Sequence, residues 1–247
     1  MNHKRDICQV ILLDFRADSY EYKEEVFMAH VQKNLWFELK IAFLLLAVAL
    51  INNQLFIHLT SSTPSSIVAF ANLQMSFAVY VLYVFVSTIA IMLKNTHILK
   101  MSFVLLLSFL TFHIIINLYL LIINPVIADD GKVILADAFI IWAVSLIVFS
   151  LWYWIVDRGG PISRLKNDEK TRYDLLFPQY QSDIPGWKEW KPKFLDYLFF
   201  SFFTSTGFSP ADTLPLSKRA KLLMMIEAFI SLIIIGMVAS RAISLIQ

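Results

Sequence analysis

Phe200-Ser-Phe-Phe-Thr-Ser-Thr-Gly-Phe-Ser-Pro-Ala-Asp-Thr-Leu-Pro215 leads into Leu222-Leu-Met-Met-Ile-Glu-Ala228 and a final apolar run. It reads as a segment that enters the membrane and leaves on the same face, followed by a span. The surroundings agree with a bilayer setting: 58% of the 247 residues are hydrophobic, and several uninterrupted apolar runs approach or exceed the length needed to cross hydrocarbon. Five spans are predicted, at about Lys40 to Thr60, Ile67 to Leu93, Met101 to Ile123, Val133 to Val156 and Leu222 to Leu245. Hydrocarbon gives backbone groups no partner, so each run must be a helix that satisfies its own hydrogen bonds. The fold class is therefore an all-α membrane protein, with five transmembrane helices and a re-entrant helix and loop.

The last fifty residues resemble, without a gap, the pore module of the tetrameric potassium-channel superfamily. Members of that family run Ser-Phe-x-Thr-x-Thr, a Thr-Val-Gly-Tyr-Gly filter, Asp-x-x-Pro, a basic residue and Leu-Leu-x-Met-x-Glu-Ala. Here Ser201, Phe202, Thr204, Thr206, Asp212, Pro215, Lys221, Leu222, Leu223, Met225, Glu227 and Ala228 fall on those places. The filter departs from the pattern, its five positions holding Gly207, Phe208, Ser209, Pro210 and Ala211. The resemblance implies a homotetramer that passes monovalent cations through a central pore. The apolar runs divide the chain into an N-terminal soluble arm (1–38), a peripheral three-helix membrane bundle (39–124) and a remainder that the resemblance makes a pore module (125–247). The module comprises a span (133–156), a linker (157–193), a pore helix and loop (194–216) and a pore-lining span (219–246).

A filter of consecutive carbonyls needs alternating backbone geometry, which glycine permits and other residues resist. Ser209 and Ala211 oppose left-handed conformations, and Pro210 has no amide hydrogen to brace the filter from behind. A four-site potassium filter is not expected. What remains is a short polar constriction with hydroxyls from Thr204, Ser205, Thr206 and Ser209, a turn at Gly207 and a hydrophobic gate at Phe208. Residues Pro192 to Phe203 have helical, aromatic-rich composition, and the carbonyl end of that helix would favour cations. At the loop mouth, Asp212 either forms part of an acidic ring that concentrates cations or braces the loop against Lys221 or backbone. Glu227 lies just inside the last span, where an ionisable group is costly and faces protein or water; Ser231, four residues on, shares its face. The matching family acid supports the pore module, so Glu227, Ser231 and Gly236 are read as pore support. Gly236 and Ser240 also make a small-x-x-x-small pair that allows close helix approach.

Charge bears on orientation. If the pore loop enters and leaves on one face, the N-terminus, the Asn95-Thr96 loop, the linker and the Lys218-Arg219-Lys221 cluster share a side, which then holds 19 of the 21 lysines and arginines. The positive-inside rule makes that side cytoplasmic, whereas the resemblance would put the loop outside. On the charge reading the pore module is inverted and the chain ends outside with no cytoplasmic gating domain; the protein is expected to be integral to a bacterial inner (plasma) membrane. No cleavable signal peptide is expected.

The remaining features point to structure. The N-terminal arm holds a short amphipathic segment, Glu21 to Gln32. Trp36 and Trp152-Tyr153-Trp154 are expected as interfacial anchors. Asn52, Asn53, Gln54, His58, Asn72, Gln74, His113 and Asn117 are polar groups in the first three spans. His113 and Asn117, one turn apart, read as a relay or as helix-tying hydrogen bonds, the second being the usual use of such groups. No span carries arginines at every third position, so no voltage sensor is expected. One cysteine, Cys8, rules out an intrachain disulfide framework. No catalytic constellation, metal-ligand spacing or phosphate-binding loop appears, so neither enzyme activity nor a cofactor is expected. The basic linker is interleaved with Asp168, Glu169 and Asp174, which reads as a solvated face and not a nucleic-acid patch. Two functions stay open: a cation channel with an atypical filter, and a non-conducting scaffold or sensor on the same fold.

Overall fold

In the computed structural model the described residues are 44, 47–52, 54, 55, 59, 78–90, 93, 96–123, 131–160, 172–181, 190–207 and 213–244. Five of their helices are labelled α1 (Ala78–Ala90), α2 (Thr96–Ile123), α3 (Gly131–Val156), α4 (Phe194–Thr206) and α5 (Lys218–Ser244). The helices α2, α3 and α5 are long and apolar enough to cross a membrane; at 1.5 Å per residue each runs about 40 Å, beyond the ~30 Å of hydrocarbon. They cover the third, fourth and fifth expected spans, starting a few residues earlier in each case. Of the first two expected spans, the described positions are helical, α1 among them, except Leu93, which lies in a turn. The N-terminal arm, with Cys8, Glu21 to Gln32 and Trp36, lies outside the described residues.

Residues Val48–Gln247 form one compact unit, with α3 at its centre. It packs against α2, α4 and α5, and its second half is covered on almost every side. Helix α2 presents Phe103, Leu106, Leu107, Leu110, Ile114, Leu118 and Leu121 inward, at spacings of three and four, and leaves Leu105, Phe112, Ile115, Tyr119 and Ile122 outside. This is a helix apolar on all sides, as a span must be. Polar groups in the spans tie helices together. Asn117 Nδ2 donates to Asn52 Oδ1 at 2.6 Å, and Trp152 Nε1 donates to Thr111 Oγ1 at 2.9 Å, joining α3 to α2. Asn117 is therefore a helix tie to the chain around Asn52, with His113 also buried.

The group Trp152-Tyr153-Trp154 corrects an expectation. Tyr153 and Trp154 are buried and Trp152 is half-buried; they sit in the interior of the bundle because α2, α4 and α5 converge on this end of α3, so they are not interfacial anchors. At the close of α3 a 3-10 turn, Asp157–Gly159, reverses the chain through three successive left-handed residues: Arg158 (φ 50°), Gly159 (φ 74°) and Gly160 (φ 99°). A side chain at Gly160 would also meet the Ile155 carbonyl at 3.1 Å. The linker then returns as a two-residue strand, β1 (Leu175–Leu176), antiparallel to β2 (Leu214–Pro215), with Leu175 opposite Pro215 and Leu176 opposite Leu214.

Candidate functional site

The short helix α4 is held by two buried acids, one beside each end of its covered face. Tyr197, Phe200, Ser201 and Thr204 recur at spacings of three and four, so one stripe of α4 turns inward, and all four are buried. At the outer end, Asp157 is fully buried. Its Oδ2 accepts the Tyr197 hydroxyl at 2.7 Å, and its Oδ1 accepts the Asp174 and Leu175 amides at 3.3 and 3.2 Å. Deeper in, Glu227 on α5 is likewise fully buried. Its Oε2 accepts the Tyr153 hydroxyl at 2.6 Å and its Oε1 accepts the Ser201 hydroxyl. Three helices therefore meet at one carboxylate. The Tyr153 ring stands edge-on to Phe200 with centroids 4.7 Å apart, and Ser201 Oγ also lies 3.0 Å from the Leu146 carbonyl.

These contacts fix the direction of α4. Tyr197 meets Asp157 at the end of α3, Phe200 meets Tyr153, and Phe202 meets Trp142, centroids 5.9 Å apart. The helix thus runs antiparallel to α3, from that helix's C-terminal end inward. Thirteen residues span about 20 Å, some two-thirds of the hydrocarbon thickness. Lys193 starts it, its amide donating to Asp196 Oδ2 at 2.6 Å. Gly207 ends it in a left-handed cap (φ 74°), its amide donating to the Thr204 carbonyl. The chain comes back at β2, against β1, where the Leu216 amide donates to the Asp174 carbonyl at 2.9 Å.

Asp174 corrects a second expectation. Its place in a charged linker reads as part of a solvated acidic and basic face, yet it is buried. Its Oδ2 accepts the Arg158 amide at 3.0 Å, and its Oδ1 faces Arg219 Nη2 at 3.4 Å. Asp174 is buried beside the β1–β2 pair, its carbonyl accepting the Leu216 amide, which charge alternation along the linker does not reveal. Arg158 meanwhile stacks over the Tyr173 ring at 4.6 Å.

Of the predicted pathway residues, Thr204 and Ser205 face protein: their hydroxyls donate to the Phe200 and Phe202 carbonyls, each at 2.9 Å, and both are buried. Thr206 is only half-buried, with its hydroxyl on the Phe202 carbonyl at 3.0 Å, and Gly207 is exposed. Thr206 also borders an apolar cleft of about 490 Å³ together with Phe139, Trp142, Ile234 and Val238. Phe208, Ser209, Pro210, Ala211 and Asp212 lie outside the described residues. Of the support residues, Ser231 is buried one turn beyond Glu227, with no partner for its hydroxyl among the described residues. Gly236 and Ser240 are exposed, and a Cβ at Gly236 would meet nothing within 4 Å.

The sequence does not single out Asp157, Tyr197 or the buried Asp137 of α3, and it marks Tyr153 only as an expected interfacial anchor. The signal for Tyr197 was present in its three-and-four spacing with Phe200, Ser201 and Thr204. Nothing local marks Asp157, whose carboxylate accepts from groups 17, 18 and 40 positions along the chain. Among the described residues no group of His, Cys, Asp and Glu could hold a metal ion. Compared with family models, curated proteins and solved structures, the chain matches none.

Proposed function

We propose that this chain is one subunit of a tetrameric, potassium-channel-like cation channel with an atypical, weakly selective filter. Five spans surround the path, α4 is a re-entrant pore helix, and α5 lines the axis. The observation that carries this reading is the course of α4. A helix of less than membrane length is wedged between α3 and α5, and the chain that follows it returns to pair with the linker near where it began. Such a segment places its C-terminal carbonyls at membrane depth, where their dipoles stabilise a cation. Glu227 belongs to the support of this helix, since Tyr153 and Ser201 engage both of its oxygens. The pathway begins at Thr206 and Gly207 and continues through Phe208, Ser209, Pro210, Ala211 and Asp212; Thr204 and Ser205 brace it from behind.

A further support is the outer face of α5. It is the least covered of the three long helices and leaves Met225, Phe229 and Leu232 exposed on one side, with Gly236 and Ser240 beyond. Four copies around an axis would bring these faces together. Charge orients the assembly with the linker, the pore mouth and the N-terminus in the cytoplasm.

Current through planar bilayers tests the reading, using purified protein under a potassium gradient and then with potassium opposed to sodium. A conducting wild type is expected, with a reversal potential between the potassium and sodium limits and a unitary current changed by Phe208→Ala and lowered by Asp212→Asn. Tetrameric protein that stays silent in all three forms would overturn it in favour of a scaffold or sensor.

A further inference from the structure

Three buried polar atoms between the end of α3 and the linker have no hydrogen-bond partner among the described residues: Arg158 Nε, Gln179 Oε1 and the Tyr180 hydroxyl. Buried polar atoms are almost always satisfied, and these three fall on two short 3-10 turns, Asp157–Gly159 and Pro178–Gln181. Each belongs to a residue that is itself only half-buried, so the group is reachable from the surface.

Ring contacts join the two turns. The Arg158 guanidinium stands 4.6 Å from the centre of the Tyr173 ring, and that ring meets Tyr180 edge-on with centroids 4.8 Å apart. Phe177 and Trp190 also contact the Tyr180 ring, with centroids 6.4 and 5.3 Å away. Burial pushes the Tyr180 hydroxyl up, and the Arg158 guanidinium beside it acts in the opposite direction. Arg158 holds this place in a left-handed conformation (φ 50°), which strains a residue with a Cβ, and strain of this kind gathers where a side chain is positioned for use.

The acids of the two turns are committed elsewhere. Asp157 accepts the Tyr197 hydroxyl and two amides, and Asp174 accepts the Arg158 backbone amide and faces Arg219. Lys100 Nζ, which donates to the Gly159 carbonyl at 2.6 Å, adds a second cation one residue along. A water would satisfy a hydroxyl, but a buried donor of a charged group beside a second cation calls for an anion.

We infer that Arg158 and Tyr180 form a binding site for a small oxyanion. Arg158 Nε and the Tyr180 hydroxyl donate to its oxygens, and Gln179 Oε1 accepts from an O–H that the anion carries. Hydrogencarbonate and hydrogen phosphate offer both kinds of group; a plain carboxylate offers acceptors alone. The site lies away from α5 and does not rest on conduction.

Isothermal titration calorimetry of the full chain in detergent tests it, with sodium hydrogencarbonate, phosphate or acetate added over a sodium chloride background of matched ionic strength. Saturable binding of hydrogencarbonate or phosphate is expected, the tighter of the two showing whether the site takes a planar or a tetrahedral anion, with acetate several-fold weaker. Arg158→Gln should weaken the tighter anion about tenfold or more. Tyr180→Phe, which keeps every ring contact and removes the hydroxyl alone, should weaken it several-fold, while Lys132→Gln at the far end of α3 should leave it unchanged. Circular dichroism checks folding, and Tyr180→Phe decides the matter should Arg158→Gln fail to fold. A wild type that shows no saturable binding at tens of millimolar of either anion would overturn the inference, as would an unchanged affinity in folded Tyr180→Phe. Acetate binding as tightly as hydrogencarbonate would overturn the part given to Gln179.

Discussion

Glu227 joins three helices through two oxygens, and the chemistry of its replacements separates packing from hydrogen bonding. Alanine leaves the Tyr153 hydroxyl buried without its acceptor and Ser201 with only the Leu146 carbonyl, at a cost on the order of 1 to 3 kcal/mol. Glutamine keeps one acceptor for Tyr153 and offers an N–H to Ser201, whose own hydrogen is then available for the Leu146 carbonyl 3.0 Å away. Unfolding titrations in detergent should therefore rank wild type and Glu227→Gln within about 1 kcal/mol, with Glu227→Ala well below. Equal stability of the alanine variant and wild type would remove Glu227 from the support of α4.

At the scale of the element, α4 combines what its own sequence encodes with what the fold imposes. Its helical, aromatic-rich composition and its inward stripe are legible locally, and the helix extends to Thr206, three residues past the expected Phe203. Its position is not legible, because it depends on Asp157, Tyr153 and Glu227, which come from other parts of the chain. Gly207 lies between the two cases. Its sequence context suggests a flexible turn, and the left-handed cap requires one, while a Cβ at this position would meet nothing within 4 Å and so add no clash. Gly207→Ala should then cost about 1 kcal/mol from backbone strain alone, and Gly207→Asn less, since Asn tolerates this conformation. Thermal unfolding of the two variants checks the order; a loss in Asn as large as in Ala would mean that the cap is not the reason for glycine.

At the scale of the molecule, apolar run length made the three long helices legible, because a bilayer admits few other ways to satisfy a backbone. The tyrosine between two tryptophans at the end of α3 was misread for a related reason: amphipathic rings at a span end suit the headgroup layer, and only the convergence of α2, α4 and α5 turns Tyr153 into an interior ligand of Glu227. The buried linker acid Asp174 was hidden because strand pairing of two residues each, 38 and 40 positions apart, leaves no period to read. What unites the residue and element scales is the path of the chain between Asp157 and Lys218. Thiol accessibility tests that path most directly. With Cys8→Ser as background, Gln181→Cys, Ser217→Cys and Lys132→Cys are each labelled from one side of sealed, uniformly oriented vesicles. A re-entrant α4 predicts that positions 181 and 217 react from the same side and position 132 from the opposite one. Reaction of 181 and 217 from opposite sides would mean that the segment crosses the membrane, and would contradict the pore-helix reading at its root.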